Sequence, residues 1–195
     1  MSKIIKFLKP WVGAILIVVV LHFTGLLSSI SFLAQSAILK TGLMNASTKV
    51  EKEDIDFNYG FTIKDLNGNK LDFTQFKNKV VFLNLWATWC GPCRAEMPTI
   101  QKLYDKMKDN PNVEFVMLSI DQDKDLKKVI RYLKDKSYTF NGYMPSGYLT
   151  EQLNVPSIPT TFIISKNGKI LTKEVGTTNF NTARFYQFLK AESDK

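Results

Sequence analysis

Two cysteines and one histidine in 195 residues remove several kinds of protein from consideration. Zinc sites usually draw four ligands from Cys and His. Cys90, Cys93 and His22 fall short of that, and His22 sits in an apolar run, so no metal site is expected. A disulfide between cysteines this close would close too small a loop to restrain the unfolded chain much, so a purely structural bridge is a poor explanation. Acidic residues are missing before Glu51, and from Pro10 to Leu39 there is no charge of either sign. The net charge of +8 is not gathered in one block: residues 1–40 hold four lysines, and the rest holds 22 basic against 18 acidic residues. Lys124, Lys127, Lys128, Arg131, Lys134 and Lys136 recur at roughly helical spacing, which reads as a solvated helix face; a nucleic-acid surface would need more clustering and aromatic interleaving. Internal repeats and low-complexity tracts are absent as well.

The uncharged stretch is the first thing present in quantity. Trp11 to Leu33 is apolar apart from His22, Thr24, Ser28, Ser29 and Ser31. About 20 apolar residues span a bilayer as a helix. Lys3, Lys6 and Lys9 precede the run, which favours a cytoplasmic N-terminus, and Trp11 suits an interface. Residues 1–40 are therefore expected to form an uncleaved transmembrane anchor. Two other readings stay open. Ala34-Gln35-Ser36 resembles a signal-peptidase site, although signal-peptide apolar cores run about 7–15 residues; a buried core helix is the other. No cysteine lies near the run for acylation. Either membrane reading sends the remainder across a bilayer. In a bacterium this gives a single-pass protein of the cytoplasmic membrane, with its domain facing the periplasm or cell exterior. Residues 41–58 are polar and mixed in charge, the composition of a tether; a flexible one would reach about 20–25 Å.

From residue 59 onward the pattern is that of a globular α/β domain. Phe61-Thr62-Ile63 and Lys70 to Phe73 flank Asn67-Gly68, a hairpin signal. Thr74 to Asn78 reads as one helical turn. Lys79 to Ala87 is a continuous apolar run, as expected for a strand covered on both faces. A helix is predicted from about Pro92 to Asp109, with Met97, Ile100, Leu103, Tyr104 and Met107 on its apolar side and a kink at Pro98. Val113 to Ile120 is a second buried strand. Leu126 to Lys136 forms an amphipathic helix with Leu126, Val129, Ile130 and Leu133 inward. Then come an extended piece at Phe140 to Met144, a short helix at Gly147 to Leu153, and a hairpin of Thr160 to Ser165 with Lys169 to Val175 around Asn167-Gly168. A last helix covers Asn179 to Ala191. Strands alternating with helices, then a hairpin and helix, give a central mixed sheet flanked by helices on both faces. Ligands of such sheets gather at the carboxyl ends of the strands, here after Ala87.

Both cysteines lie at that point, in Trp89-Cys90-Gly91-Pro92-Cys93. A CxxC joining a strand to a helix is the sequence form of a thiol–disulfide exchange site. The spacing lets the two sulfurs bond to each other. The helix N-terminus offers unpaired N–H groups and a dipole that stabilise a thiolate on the first sulfur.

The stretch from Val81 to Pro98, VFLNLWATWCGPCRAEMP, resembles the thioredoxin-like superfamily, most closely its TlpA/ResA branch of membrane-anchored thiol–disulfide oxidoreductases. Ser157-Ile158-Pro159-Thr160-Thr161-Phe162 resembles the cis-proline loop of the same superfamily, and the likeness extends over about residues 57–190. It implies a thioredoxin-like fold, with Cys90 as the attacking thiolate and Cys93 as the resolving thiol. Pro159 would be cis, and Ile158, Pro159 and Thr160 would offer backbone to an extended substrate. Trp89, Gly91 and Pro92 would shape the site. Asn84 stands where thioredoxins carry a buried acid, and Glu96, one turn past Cys93, matches an acid of the TlpA-like branch. Glu96 is expected either to manage protons for Cys93 or to be a solvated helix carboxylate. Arg94 would either favour the thiolate or face solvent, and Trp86 is either site surface or core. The resemblance implies protein disulfides as substrates, haem-binding sites of apocytochromes c among them. It also implies a membrane electron donor and no cofactor beyond the Cys90–Cys93 disulfide. Gly91-Pro92 points to a reductase, as in thioredoxin near about −270 mV, and not to an oxidant near about −120 mV. The alternatives are a Cu(I)-binding module using both thiolates with Met97 and Met144, a peroxidase, which Ala87 disfavours, and a tethered scaffold with an incidental CxxC.

Overall fold

The computed structural model describes residues 12–13, 15–18, 20, 26–39, 41–50 and 54–195. Seven strands form one sheet in the order β2-β1-β5-β4-β3-β6-β7. They are β1 (Thr62–Asp65), β2 (Lys70–Asp72), β3 (Val80–Trp86), β4 (Val113–Ser119), β5 (Gly142–Pro145), β6 (Thr160–Ile164) and β7 (Ile170–Val175). From residue 26 onward the described helices are α1 (Leu26–Leu39), α2 (Gly91–Met107), α3 (Leu126–Asp135) and α4 (Ala183–Asp194). β3, β4 and β5 run parallel; the β3–β6 and β6–β7 pairings on one side, and the β5–β1 and β1–β2 pairings on the other, are antiparallel. The sheet is mixed, as the order of elements predicted.

β3 is the middle of the core: all seven of its residues are buried. Its side chains alternate between faces. Phe82 and Trp86 enter one apolar cluster with Met97, Ile100, Leu103 and Phe185. Val81, Leu83 and Leu85 enter the other, with Phe57, Phe73 and Phe162. Asn84 belongs to the Phe82–Trp86 set, so a single polar residue is directed into the layer under α2. Both hairpins turn through glycines with positive φ, Gly68 at 90° and Gly168 at 82°, a conformation costly for other residues.

Several local expectations need correction. The turn before β3 is a 3₁₀ segment, Phe73–Phe76, capped by the Asp72 side chain on Thr74 N. Gly147 to Leu153 is not a helix; only Glu151–Leu153 makes a 3₁₀ turn, because Gly147 takes φ 109°. The last helix starts at Ala183, four residues later than predicted, where Thr182 Oγ1 caps Phe185 N. Ile130 points outward, 38 % exposed, while Val129 and Leu133 are buried. The six basic residues from Lys124 to Lys136 are exposed, the solvated face expected of them.

Part of the expected Trp11–Leu33 membrane span, His22 included, lies outside the described residues. Among the described residues no helix is long and apolar enough to cross a membrane. α1 lies along α2, with Phe32 against Arg94 and Gln35 accepting a hydrogen bond from the Thr177 hydroxyl. Parts of the polar segment 41–58 are bonded to the domain. Ala46 N donates to Asn179 O, Ser47 N to Glu174 Oε1, and Phe57 N to Gly168 O, while Lys169 pairs with Asp54 and Asp56.

Candidate active site

β3 ends at Trp86, and four residues later the chain turns into α2. Cys90 is the N-cap, with extended backbone (φ −83°, ψ 105°), and Pro92 occupies the first turn, where no N–H is required. Cys90 Sγ accepts from Cys93 N at 3.1 Å, and Arg94 N donates to Cys90 O at 3.1 Å. The sulfur is therefore tied to a helix N-terminus, where a negative charge is favoured. Cys90 and Cys93 are joined in a disulfide, with Cα atoms 5.3 Å apart. Cys90 keeps 5 % of its surface exposed and Cys93 none, so an incoming group meets Cys90 first.

The loop before β6 stands over this pair. Ile158–Pro159 is a cis peptide, and Ile158 O lies 3.7 Å from Cys90 Sγ. Thr160 is buried, its hydroxyl donating to Ser157 O. Trp89 is 63 % exposed beside the cysteines, whereas Trp86 is wholly buried; of the two tryptophans only Trp89 belongs to the surface.

Beneath the disulfide lies a polar group in an apolar layer. Glu96, on α2 one turn after Cys93, is 1 % exposed, so it is not a solvated helix carboxylate. Its Oε1 accepts from Asn84 Nδ2 at 2.8 Å and its Oε2 from Thr178 N at 3.0 Å. Asn84 Nδ2 also donates to Thr161 Oγ1 at 2.8 Å, across the β3–β6 register that pairs the two residues. Burial pushes the Glu96 carboxyl up to about 8, against the opposing pull of the Asn84 and Thr178 hydrogen bonds. Arg94 turns away from any simple solvent position and lays its guanidinium over the rings of Phe32 and Tyr132, 5.6 and 5.7 Å from their centres.

Sequence reasoning missed three contributors. Thr161 sits one residue beyond the expected substrate loop; its signal was its place opposite Asn84. Thr178 acts through its backbone, which leaves no mark on residue type. Asp121, at the end of β4, accepts from Thr88 N at 2.8 Å, Thr88 Oγ1 at 2.7 Å and Ser119 Oγ at 2.7 Å. It pins the segment that leads into Cys90.

Comparison with known proteins follows the same residues. The Redoxin family model matches residues 53–187, which contain the whole site. The chain belongs to the Redoxin family. Among its relatives, the "Thiol-disulfide oxidoreductase ResA" of Bacillus thuringiensis subsp. konkukian is 36 % identical over 131 residues, 66 % of this chain and 74 % of that protein. The "Thioredoxin-like protein YneN" of Bacillus subtilis is 30 % identical over 175 residues, 87 % of this chain and 92 % of that one. A crystal structure of a thiol:disulfide interchange protein from Chlorobium tepidum superposes with a TM-score of 0.60 at 23 % identity, covering 73 % of this chain and 99 % of its own; that likeness shows the thioredoxin-like fold. Within the Redoxin family this chain is a thiol–disulfide oxidoreductase of the ResA type, with its CxxC pair at Cys90 and Cys93.

Proposed function

We propose that the chain is a membrane-tethered reductase of disulfides in exported bacterial proteins, apocytochromes c among its targets. One observation carries the reading: the more accessible sulfur, Cys90, caps a helix N-terminus beside the Ile158–Pro159 loop, while a buried carboxyl waits one turn beyond the shielded Cys93. A free cysteine ionises near pH 8.5, and such helix positions bring it down toward about 7 or lower.

In the reduced chain the Cys90 thiolate attacks one sulfur of a target disulfide. A Cys90–target bond forms, the target S–S bond breaks, and the departing sulfur takes up a proton. Backbone at Ile158 to Thr160 holds the target segment extended, and Trp89 lies under it. Cys93 then gives its proton to Glu96 and attacks Cys90 Sγ. The Cys90–Cys93 bond forms as the mixed disulfide breaks, and the second target sulfur leaves reduced. Two electrons have passed to the target. A membrane electron donor returns two electrons, Cys93 recovers its proton from Glu96, and Cys90 is left as the thiolate; the two target sulfurs take their protons from solvent. Glu96 suits the transfer because burial brings its carboxyl up to about 8, close to the working range of a thiol.

Residues 1–40 serve as a single-pass anchor in the cytoplasmic membrane, leaving the domain on the periplasmic side; the lysines at 3, 6 and 9 and the uncharged run after them support this. Gly91-Pro92 supports the reducing direction. Cells expressing Cys93→Ser test the whole reading. Without the resolving thiol, mixed disulfides through Cys90 accumulate, and mass spectrometry should find exported proteins with haem-attachment CxxCH sites. Recovery of cytoplasmic partners alone would overturn the placement. A midpoint near about −120 mV would reverse the direction.

A further inference from the structure

Asn84 leaves one buried atom unused. Its nitrogen commits both hydrogens, one to Glu96 Oε1 and one to Thr161 Oγ1, each at 2.8 Å. Its oxygen Oδ1 is buried with no hydrogen-bond partner. Only the two bonds from its nitrogen therefore hold the amide in its present orientation.

The pattern suits an ionised Glu96, both of whose oxygens accept, better than a protonated one. Thr178 N–H can only donate and is fixed by the backbone, which favours keeping the better acceptor, the proton-free carbonyl oxygen of the acid, at Oε2. An added proton then belongs on Oε1, where it faces the hydrogens of Asn84 Nδ2. A half-turn of the amide about its last torsion exchanges nitrogen and oxygen. Oδ1 then faces both Glu96 Oε1 and Thr161 Oγ1, at the cost of turning the Nδ2 hydrogens toward the place where Oδ1 now has no partner. The acid donates to it, and the threonine hydroxyl, able to donate as well as accept, rotates to do the same.

We propose that the Asn84 amide turns over as Glu96 gains and loses its proton, making Asn84 a positioning residue that offers a donor to the carboxylate and an acceptor to the acid. The inference rests on the reading of Glu96 as the proton holder for Cys93. Other groups around Glu96 do not take this part. Glu174 on β7 is the charged side chain whose field reaches it, and it adds an upward push. Cys93, its neighbour on the same helix, is held in the disulfide and carries no titratable proton in the oxidised chain. β3 and β6 present the neutral Asn84 and Thr161, and the β7–α4 loop presents backbone.

The test uses the full-length oxidised chain in detergent micelles, labelled with ¹⁵N at asparagine. The Glu96 carbonyl stretch is followed by infrared difference spectroscopy and assigned with Glu96→Gln. In parallel, the proximity of the Asn84 side-chain NH₂ to Thr161 is followed by NOE. The expected result is that the NOE is strong above the Glu96 midpoint and lost below it, at the same pH in both measurements. Asn84→Leu should raise that midpoint by about one pH unit, since a donor to a charged oxygen is worth more than an acceptor to a neutral acid. A Glu96 band that titrates while the NOE stays constant overturns the turnover and leaves the role of Glu96 intact. A band that never titrates between about pH 5 and about pH 10 removes both. The wild-type NOE decides the matter even if Asn84→Leu does not fold.

Discussion

Glu96→Gln makes the energetics of the buried carboxyl measurable. Glu96 ionises near 4.5 when free and near about 8 in the fold, with burial as the main cause. A raised carboxyl means the folded state binds the proton more tightly than the unfolded chain. Glu96 therefore favours the fold most below the unfolded value, and that contribution is lost as pH rises from 4.5 to about 8. At about 1.4 kcal/mol per pH unit, the loss across the window is at most about 5 kcal/mol. Glutamine has no such term. Its amide pairs less well with the two donors from Asn84 and Thr178, but that offset does not change with pH and cancels in a comparison of pH values. The assay is denaturant unfolding of oxidised wild type and Glu96→Gln at about pH 5 and about pH 9. Wild type should lose a few kcal/mol more than the variant between the two, up to the about 5 kcal/mol bound. An equal loss in both proteins would mean that Glu96 ionises in the fold as it does in water, and would refute the burial argument.

Other consequences are simpler to state. Asp121→Ala leaves Thr88 N–H and two hydroxyls without their charged acceptor, and should cost about 2–4 kcal/mol in chemical denaturation; unchanged stability would show that the Thr88 segment holds itself. Trp89→Ala, at a side chain 63 % exposed, should change stability by less than about 0.5 kcal/mol while slowing exchange with a protein disulfide more than with a small one. Equal slowing of both would remove Trp89 from the docking surface. Phe82→Ala opens a hole where Phe82 meets Phe115, Phe180 and Phe185, and should cost about 3–5 kcal/mol in the same unfolding assay.

What could be read from the sequence was what chain order carries. The CxxC, Pro92 in the first turn and the uninterrupted apolar β3 are local, and they located the site at the end of the central strand. Asn84 stood out through the family resemblance, because it stands where thioredoxins carry a buried acid. Its partners were hidden, because they arrive by topology: β6 brings Thr161 alongside from 77 residues away, and Thr178 contributes an N–H that any residue but proline would supply. Asp121 carries no local signal; the parallel β3–β4 register sets Ser119 beside Trp86 and carries Asp121 up to Thr88. The two misjudged helices share a cause. Gly147 and Thr182 act through backbone conformation and a cap, which a count of apolar spacing does not register.

The central claim is that Cys90 attacks and Cys93 resolves. Stopped-flow reaction of the reduced chain with a model disulfide at neutral pH tests it most directly, comparing wild type with Cys93→Ala and Cys90→Ala. Cys93→Ala should react at a rate near that of wild type and stop at a mixed disulfide on Cys90, while Cys90→Ala should be almost inert. Fast reaction of Cys90→Ala, or an inert wild type, would contradict the assignment.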